Sequence, residues 1–375
     1  MWEETMTSTI ALPRHSAVLV LGKAKDNGFM AKVADAIPAI ASPWDVNKPE
    51  ASLEALYEAL DAGQPVRVCM LRSHRTARRQ VVNAATKRGA IPIALRLPGA
   101  EEIGDDEGFA MVVEVCADTR LSYTISPMPC DLHHLHGPFD IVGDIHGCHD
   151  ELCELLDRLG YINADTGKPQ PHPEGRTLVF LGDLTDRGPA NLPVLQLVKD
   201  LERFGALRVL GNHDEKLARW LIGKKVSISP AMQTSVDELE VLAEDARTAM
   251  GEWLGGAEPH LVLDEGKLIV AHAGLEEAQQ GRRSRGARSM ALYGKVTGGV
   301  DAYGHPEAED FALDYHGAAL VVHGHVVHAN PREVNNVIAI DTGCVFGGSL
   351  TALRYPERDF VSVAAKGRYC EREQF

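Results

Sequence analysis

The sequence predicts an α/β protein in two parts, and three observations carry that reading. Short apolar runs alternate with segments of helical period in both halves, which implies parallel strands covered by helices. A stretch rich in Pro and His, Ser126–Pro138, has neither period and separates the halves. The length of 375 residues gives a prior of two or three domains of ordinary size. We expect an N-terminal tail over 1–15, an α/β domain over 16–125, a linker over 126–137 and a second domain over 138–375.

In the first domain, Ala17–Leu21 is a short buried-strand pattern, followed by a loop and a helix through Phe29–Ile37. Ala51–Ala62 then reads as a helix, Val66–Leu71 as a strand, Thr76–Arg88 as a helix and Ile91–Leu97 as a strand. The second domain reads as strands at 139–143, 177–182 and 207–211, with helices at 151–159, 191–204 and 214–222. Later strands fit 261–263, 268–272, 319–323 and 337–341. The stretch 224–260 has no strand pattern and reads as a helical insertion.

Composition narrows the class. Hydrophobic residues at 45% and charged residues at 24% suit a globular chain. A net charge of −15 argues against duplex DNA and anionic lipid as partners, while leaving room for a small anion in a local positive pocket. Seven cysteines with no CxxC pair point away from a disulfide framework and from a zinc ribbon. No run approaches the roughly 18 apolar residues of a membrane span. The start, Met1-Trp-Glu-Glu-Thr5, is acidic where a secretory signal is basic, so a cytoplasmic location is expected.

In the second domain, predicted strand ends carry metal-ligand chemistry. Gly143-Asp-Ile-His-Gly147 places Asp144 and His146 on one side of an extended segment. Gly182-Asp-Leu-Thr-Asp-Arg-Gly188, Gly211-Asn-His-Asp214, His272-Ala-Gly274 and His323-Gly-His325 follow. Singly, each is a turn or a core histidine; together, at the carboxyl ends of strands, they mark a site. Carboxylate, amide and imidazole donors without thiolate favour Mn, Fe or Zn in a reactive site. They suffice for two ions if one carboxylate bridges, an arrangement that activates a bridging water and clamps a displacement at phosphorus. Arg187 adds a planar fork suited to phosphate.

On these residues the chain resembles the phosphoprotein-phosphatase-type, calcineurin-like metallophosphoesterases. Asp140–Cys153, Leu292–Gly298 and Ile340–Arg358 are similar to segments in the phosphatase domain of bacterial polynucleotide kinase-phosphatases. The resemblance implies a two-sheet β-sandwich flanked by helices over 138–375. It places Asp144, His146 and a bridging Asp183 on one metal, with Asp183, Asn212, His272 and His325 on the second. It makes His213 the general acid, oriented by Asp186, and Arg187 the phosphoryl binder, with Asp341 supporting the site near His325. Two divalent ions are implied, Mn²⁺ first and Fe or Zn as alternatives. His323 reads as structural. One departure stands out: Gly304-His-Pro-Glu-Ala308 has alanine where the branch carries a second phosphate-binding arginine. Arg288 is one candidate to compensate; the Arg282/Arg283/Arg285 run reads as a solvated basic turn.

Relatives of that branch place a P-loop kinase ahead of the phosphatase, and the first domain resembles one in outline, as a degenerate, kinase-like domain; an unrelated α/β domain fits equally. Gly22-Lys-Ala-Lys-Asp-Asn-Gly-Phe-Met30 lacks the Lys and Ser/Thr that a phosphate loop needs after its last glycine. The run Arg67, Arg72, Arg75, Arg78, Arg79, Lys87 and Arg88 reads as a solvated helix face before an RNA-binding one.

The leading functional expectation is a metal-dependent phosphomonoesterase acting on a phosphorylated small molecule, a nucleotide or an RNA end. The alternatives are a protein Ser/Thr phosphatase or a diadenosine-tetraphosphate hydrolase. A different class is an RNA- or protein-binding module with a vestigial metal site. From the loop Gly22–Met30 we expect no transfer of label from γ-labelled ATP to a 5′-OH RNA end by the full-length protein; measurable transfer would overturn the degenerate reading.

Overall fold

The computed structural model describes residues 7–13, 15–22, 48–61, 65–70, 74–97, 99–115, 120–163, 165–300 and 306–371. They divide into two compact units, Met1–Pro129 with Gly281–Ala287, and Cys130–Gln280 with Arg288–Phe375.

The first unit contains β1 (Thr7–Pro13), β2 (Ser16–Leu21), α1 (Pro49–Asp61), β3 (Val66–Met70), α2 (Arg75–Lys87), β4 (Ile91–Arg96), β5 (Met111–Glu114) and β6 (Arg120–Ser126). A parallel sheet runs β3-β2-β4-β5, with the first of these strands between the second and third, as in doubly wound sheets. Every residue of β2 is buried, which is why it reads as an unbroken apolar run: both faces of a central parallel strand are covered. Thr7–Pro13, expected as tail, instead forms β1 and pairs in parallel with β6. The alternating Ile10 and Leu12 enter the core, a signal too short to register in sequence. The expected helix at 29–37, and the phosphate-loop comparison beyond Gly22, lie outside the described residues.

The basic run does not form one solvated face. Arg67 and Arg78 are buried. Arg78 donates to Glu107 from Nε at 2.7 Å and from Nη2 at 2.8 Å, and to Glu101 from Nη1 at 3.0 Å. Arg75 pairs with Asp106 and Arg88 with Asp61; Arg79 and Lys87 are exposed, and Arg72 lies outside the described residues. Acidic residues distant in sequence take up these cations, which a local reading could not foresee. Arg282, Arg283 and Arg285 are exposed, in keeping with a solvated turn.

The second unit holds β7 (Phe139–Val142), α3 (His149–Leu159), β8 (Thr177–Phe180), α4 (Asn191–Glu202), β9 (Leu207–Arg208), α5 (Asn212–Leu221), α6 (Pro230–Leu239), α7 (Glu244–Gly255), β10 (His260–Leu263) and β11 (Leu268–Ala271). After them come α8 (Arg285–Tyr293), which begins in the first unit's segment, β12 (Lys295–Val300), β13 (Pro306–Glu309), β14 (Leu320–His323), β15 (Arg332–Val334), β16 (Val337–Ala339), β17 (Ser349–Tyr355) and β18 (Asp359–Ala364). One sheet runs β18-β17-β7-β8-β9 and another β10-β11-β14-β16-β15, while β12 and β13 form a hairpin. Phe139, Ile141, Val179 and Leu353 of the first sheet pack with Leu261, Val270, Val322 and Ile338 of the second, so the two sheets face each other across one core. The opposite face of the first sheet is covered by helices: Leu152, Leu155, Leu156 and Leu159 of α3 recur at helical spacing and are buried there. The expected helical insertion is α6 and α7. The stretch after Ser126, expected as a linker, is bonded in place at its far end: Leu132 N–H donates to Val262 O at 2.9 Å, and Val262 N–H to Cys130 O at 2.8 Å. No helix among the described residues is long and apolar enough to cross a membrane.

At the base of the first sheet Asp140 is fully buried. It accepts from Arg176 Nε at 2.8 Å, from Arg354 Nε at 3.2 Å and from Tyr161 Oη at 3.0 Å. Arg176 also donates to the carbonyls of Phe139 and Tyr355, tying β7 to the end of β17. Arg176→Met is expected to destabilise the protein by about 3 kcal/mol in urea unfolding, because it removes one partner of a buried pair. A loss below about 1 kcal/mol, the scale of an exposed pair, would show that Arg354 alone neutralises Asp140.

Candidate metal centre

The carboxyl ends of two sets of parallel strands supply the site. Asp144 and His146 follow β7, Asp183 follows β8, and Asn212 opens α5 after β9. From the second sheet come His272 after β11, His325 after β14 and Asp341 after β16. Sheet register therefore brings together residues far apart in sequence, as in the hydrogen bond across 181 positions from His325 N–H to Asp144 Oδ2 at 3.0 Å.

The donors form two groups that share Asp183: Asp144, His146 and Asp183, and Asp183, His272 and His325, each with ligand atoms within 4.8 Å of one another. His272 Nε2 lies 3.3 Å from Asp183 Oδ2, 2.9 Å from Asn212 Oδ1 and 3.1 Å from His325 Nδ1. His146 Nε2 is 3.6 Å from Asp183 Oδ2. The outer nitrogens are tied down: His146 Nδ1 donates to Thr185 O at 2.8 Å and His272 Nδ1 to Leu181 O at 3.0 Å. Such carbonyls set the tautomer and leave each Nε2 lone pair facing the centre.

Electrostatics fit a pair of cations. Asp144, Asp183 and Asp341 are all buried, and Asp144 Oδ1 accepts no hydrogen bond from the described residues. Burial, then the charge of Asp341, pushes the Asp144 carboxyl well above the usual range. Burial likewise raises Asp341 to about 6. At His272 burial acts to lower the pKa, yet Asp183 and Asp144 outweigh it and raise it to about 10. The carboxylates thus demand positive charge at their centre, which bound cations supply. Burial, reinforced by Arg187, holds His146 well below its ordinary value, and burial with His272 lowers His325 to about 3, so both remain neutral donors.

Backbone geometry shows how tightly the site is held. His146, Asp183, Asp186, Arg187 and His325 sit at φ of 45°, 45°, 74°, 69° and 64°. Non-glycine residues there cost about 1–3 kcal/mol each, and persist where the surroundings over-determine them. Two glycines are required by close approach. A Cβ on Gly324 would lie 1.8 Å from Asp144 Oδ1, and one on Gly211 2.2 Å from both N and Oδ1 of Asp183.

His213 Nδ1 is 2.7 Å from Asp186 Oδ2, and His213 N–H donates to Asp183 Oδ1 at 3.0 Å. Asp186 Oδ1 accepts from Ser235 Oγ at 2.6 Å, while Asp186 N–H donates to Asn191 Oδ1 at 2.8 Å. Arg187 donates from Nη1 to His146 Nε2 at 2.6 Å and lays its guanidinium 5.4 Å from the centre of the Phe346 ring. The sequence reading missed Ser235 and Asn191, which carry no motif, and Asp214, whose buried carboxylate ties α5 to Leu184 N–H at 3.0 Å. Phe346 lies within the Ile340–Arg358 segment, where sequence reasoning gave it no role. His323, buried and 5.6 Å ring to ring from Phe311, stays outside both ligand groups. Ala308 lies on β13, paired with Val296. Arg288 is held by Glu215 at 2.7 Å.

Two ligand groups that meet at one carboxylate, with an imidazole and a guanidinium beside them, define a metal-dependent phosphoesterase. The comparison with known proteins gives the family: residues 137–329 match the calcineurin-like phosphoesterases, and the chain belongs to them. Similar relatives are bis(5′-nucleosyl)-tetraphosphatase PrpE proteins, designated asymmetrical. That of Halalkalibacterium halodurans is 43% identical, over 61% of this chain and 94% of the relative. That of Geobacillus sp. is 44% identical over 61% and 95%, and that of Bacillus subtilis 43% identical over 62% and 97%. These names correct the finer resemblance: they are dinucleoside tetraphosphatases rather than polynucleotide kinase-phosphatases. One set of metal-binding motifs serves both chemistries, so the motifs could not separate them.

Asp183→Ala is expected to lower Mn²⁺ bound per chain from two to less than one, read by elemental analysis after desalting, and to abolish p-nitrophenyl phosphate hydrolysis. Two ions bound by a folded variant would rule out Asp183 as the shared ligand.

Proposed function

We propose that the second unit is an asymmetrical hydrolase of dinucleoside tetraphosphates, with two divalent ions, Mn²⁺ foremost, held by Asp144, His146 and Asp183 and by Asp183, Asn212, His272 and His325. The observation that carries the reading is the pair of ligand groups joined at Asp183, in a chain that covers 94% of a relative named for this activity. The donor set also suits Fe or Zn. The completeness of the donor set counts against a vestigial centre.

When bound, the ion pair supplies an activated water and offsets phosphate charge. The protein's own groups do the rest. His213 gives Nδ1–H to Asp186, which leaves Nε2 to carry a proton to the departing oxygen and lets the buried carboxylate stabilise the charged ring. Ser235 and Asn191 fix Asp186 in turn. Arg187, kept at positive φ and anchored by its N–H to Ala231 O at 2.8 Å, presents its fork to phosphoryl oxygens. Asp341, whose Oδ1 accepts from Gly343 N–H at 2.9 Å, adds negative charge behind the ligands. We further propose that the unit of Met1–Pro129 folds as its own domain and takes no part in this chemistry.

With diadenosine tetraphosphate and Mn²⁺, chromatography should show ATP and AMP in equal amounts. Two equivalents of ADP, or no cleavage beside rapid release of phosphate from RNA 3′ ends, would overturn the reading. His213→Ala should keep the metals and lose roughly 10²–10⁴-fold in rate on alkyl phosphates, and less on p-nitrophenyl phosphate. Equal losses on both would remove His213 from the acid role.

A further inference from the structure

Arg187 has two neighbourhoods. Its Nη1 reaches the candidate metal ligand His146, while Cζ of the same guanidinium lies over the Phe346 ring. Beyond Phe346 opens a groove of about 250 Å³, lined by Arg187, Ala231, Thr234, Phe346, Tyr369 and Glu371 among others. Of the groups described in the metal centre, only Arg187 and the Phe346 ring beside it line this groove.

The lining discriminates between parts of a nucleotide. Phe346 and Tyr369 are half-buried rings, and the guanidinium adds a third flat surface. Together they suit the face of a planar heterocycle, which stacks without regard to base identity. Among the described residues of the lining Arg187 is the one cation, and it stands at the end next to the candidate metal ligand His146. Glu371, exposed at the wall, accepts from Arg368 Nη1 at 3.2 Å, and its carboxylate has further lone pairs that suit ribose hydroxyls. Thr234 offers a hydroxyl, 3.3 Å from Ala231 O. Phosphate is thus favoured at one end of the groove and an uncharged aromatic group with hydroxyls along it.

We propose that this groove binds one nucleoside of the substrate, with Phe346 as the stacking platform, Thr234 and Tyr369 as walls, and Arg187 at the joint between base and phosphate chain. This rests on the reading of the second unit as a dinucleoside tetraphosphatase. One nucleoside gripped in one groove holds the two ends of the substrate unequally, and that fixes a register for cutting away from the middle of the chain.

The test compares affinities rather than rates. Adenosine 5′-methylenediphosphonate and the methyl monoester of methylenediphosphonate carry the same anionic group with and without the nucleoside. Their affinities for the Mn²⁺-loaded full-length protein are measured by calorimetry. The nucleoside should strengthen binding roughly ten-fold or more in the wild type, the scale of one stacked base. Thr234→Trp, which fills the groove, and Phe346→Leu, which removes the ring, should each bring that ratio close to one. The ratio is formed within each variant, so a general loss of affinity cancels, and either variant suffices if the other fails to fold. A ratio near one in the wild type, or an undiminished ratio in a folded variant, overturns the proposal. Tighter binding of a 3′-linked adenosine analogue would assign the groove to an RNA end and overturn it too. The outcome is separate from product analysis: a nucleoside preference that vanishes in both variants supports the groove even if diadenosine tetraphosphate is not cut.

Discussion

Asp183 faces two groups of ligands at once, and its position sets the terms for the whole second unit. Its carboxylate lies within reach of His146 on one side and His272 on the other, and it is buried beside Asp144 and Asp341. Three carboxylates in a dry interior repel one another and lack water to screen them. Divalent cations at the centre would answer that repulsion, and the imidazoles beside Asp183 are placed where they could share in holding them. Any fold that carries this arrangement must bring strand ends from two sheets to one point and keep them there.

The cost of keeping them there is visible in the backbone. Five site residues adopt left-handed φ, and glycines let the segment after β9 approach that after β8, and the segment after β14 approach that after β7, within less than a side chain's width. That geometry survives because it is tied from outside. Thr185 O and Leu181 O hold the imidazoles, Asp214 fastens α5 to the loop after β8, and Ser235 reaches in from α6 to fix Asp186. The helical insertion therefore buttresses the site, since without α6 the residue that orients His213 loses one of its supports.

The first unit follows other rules. Its central strand is buried on both faces, and four of its arginines, Arg75, Arg78, Arg88 and Arg96, are paired with carboxylates, above all Arg78 with Glu107 and Glu101. A guanidinium held by two carboxylates is not available to a phosphate, so the density of arginine in that segment is a poor guide to nucleic-acid binding. The same caution applies to the phosphatase motifs. They report metal-binding residues, common to many phosphoesterases, and say little about what is attached to the phosphate, the part of the substrate that we propose the groove beside Phe346 binds.

By itself the sequence determined the alternation of strands and helices, the clusters from Asp144 to His325, and the chemistry those donors permit. These are local properties: strand period, helical spacing of Leu152, Leu155, Leu156 and Leu159, and glycines flanking ligands. It did not reveal β1 and β17, whose partners β6 and β7 lie far along the chain, nor β5, β6, β12, β13, β15 and β18, nor Ser235 and Asn191, which bond to Asp186. The resemblance proposed which ligands share an ion; the bonds from His325 N–H to Asp144 and from Ser235 to Asp186 put those groups in contact. Which residues meet was decided by the tertiary structure, because the register of two facing sheets, rather than any spacing within one segment, brings their strand ends together around Asp183.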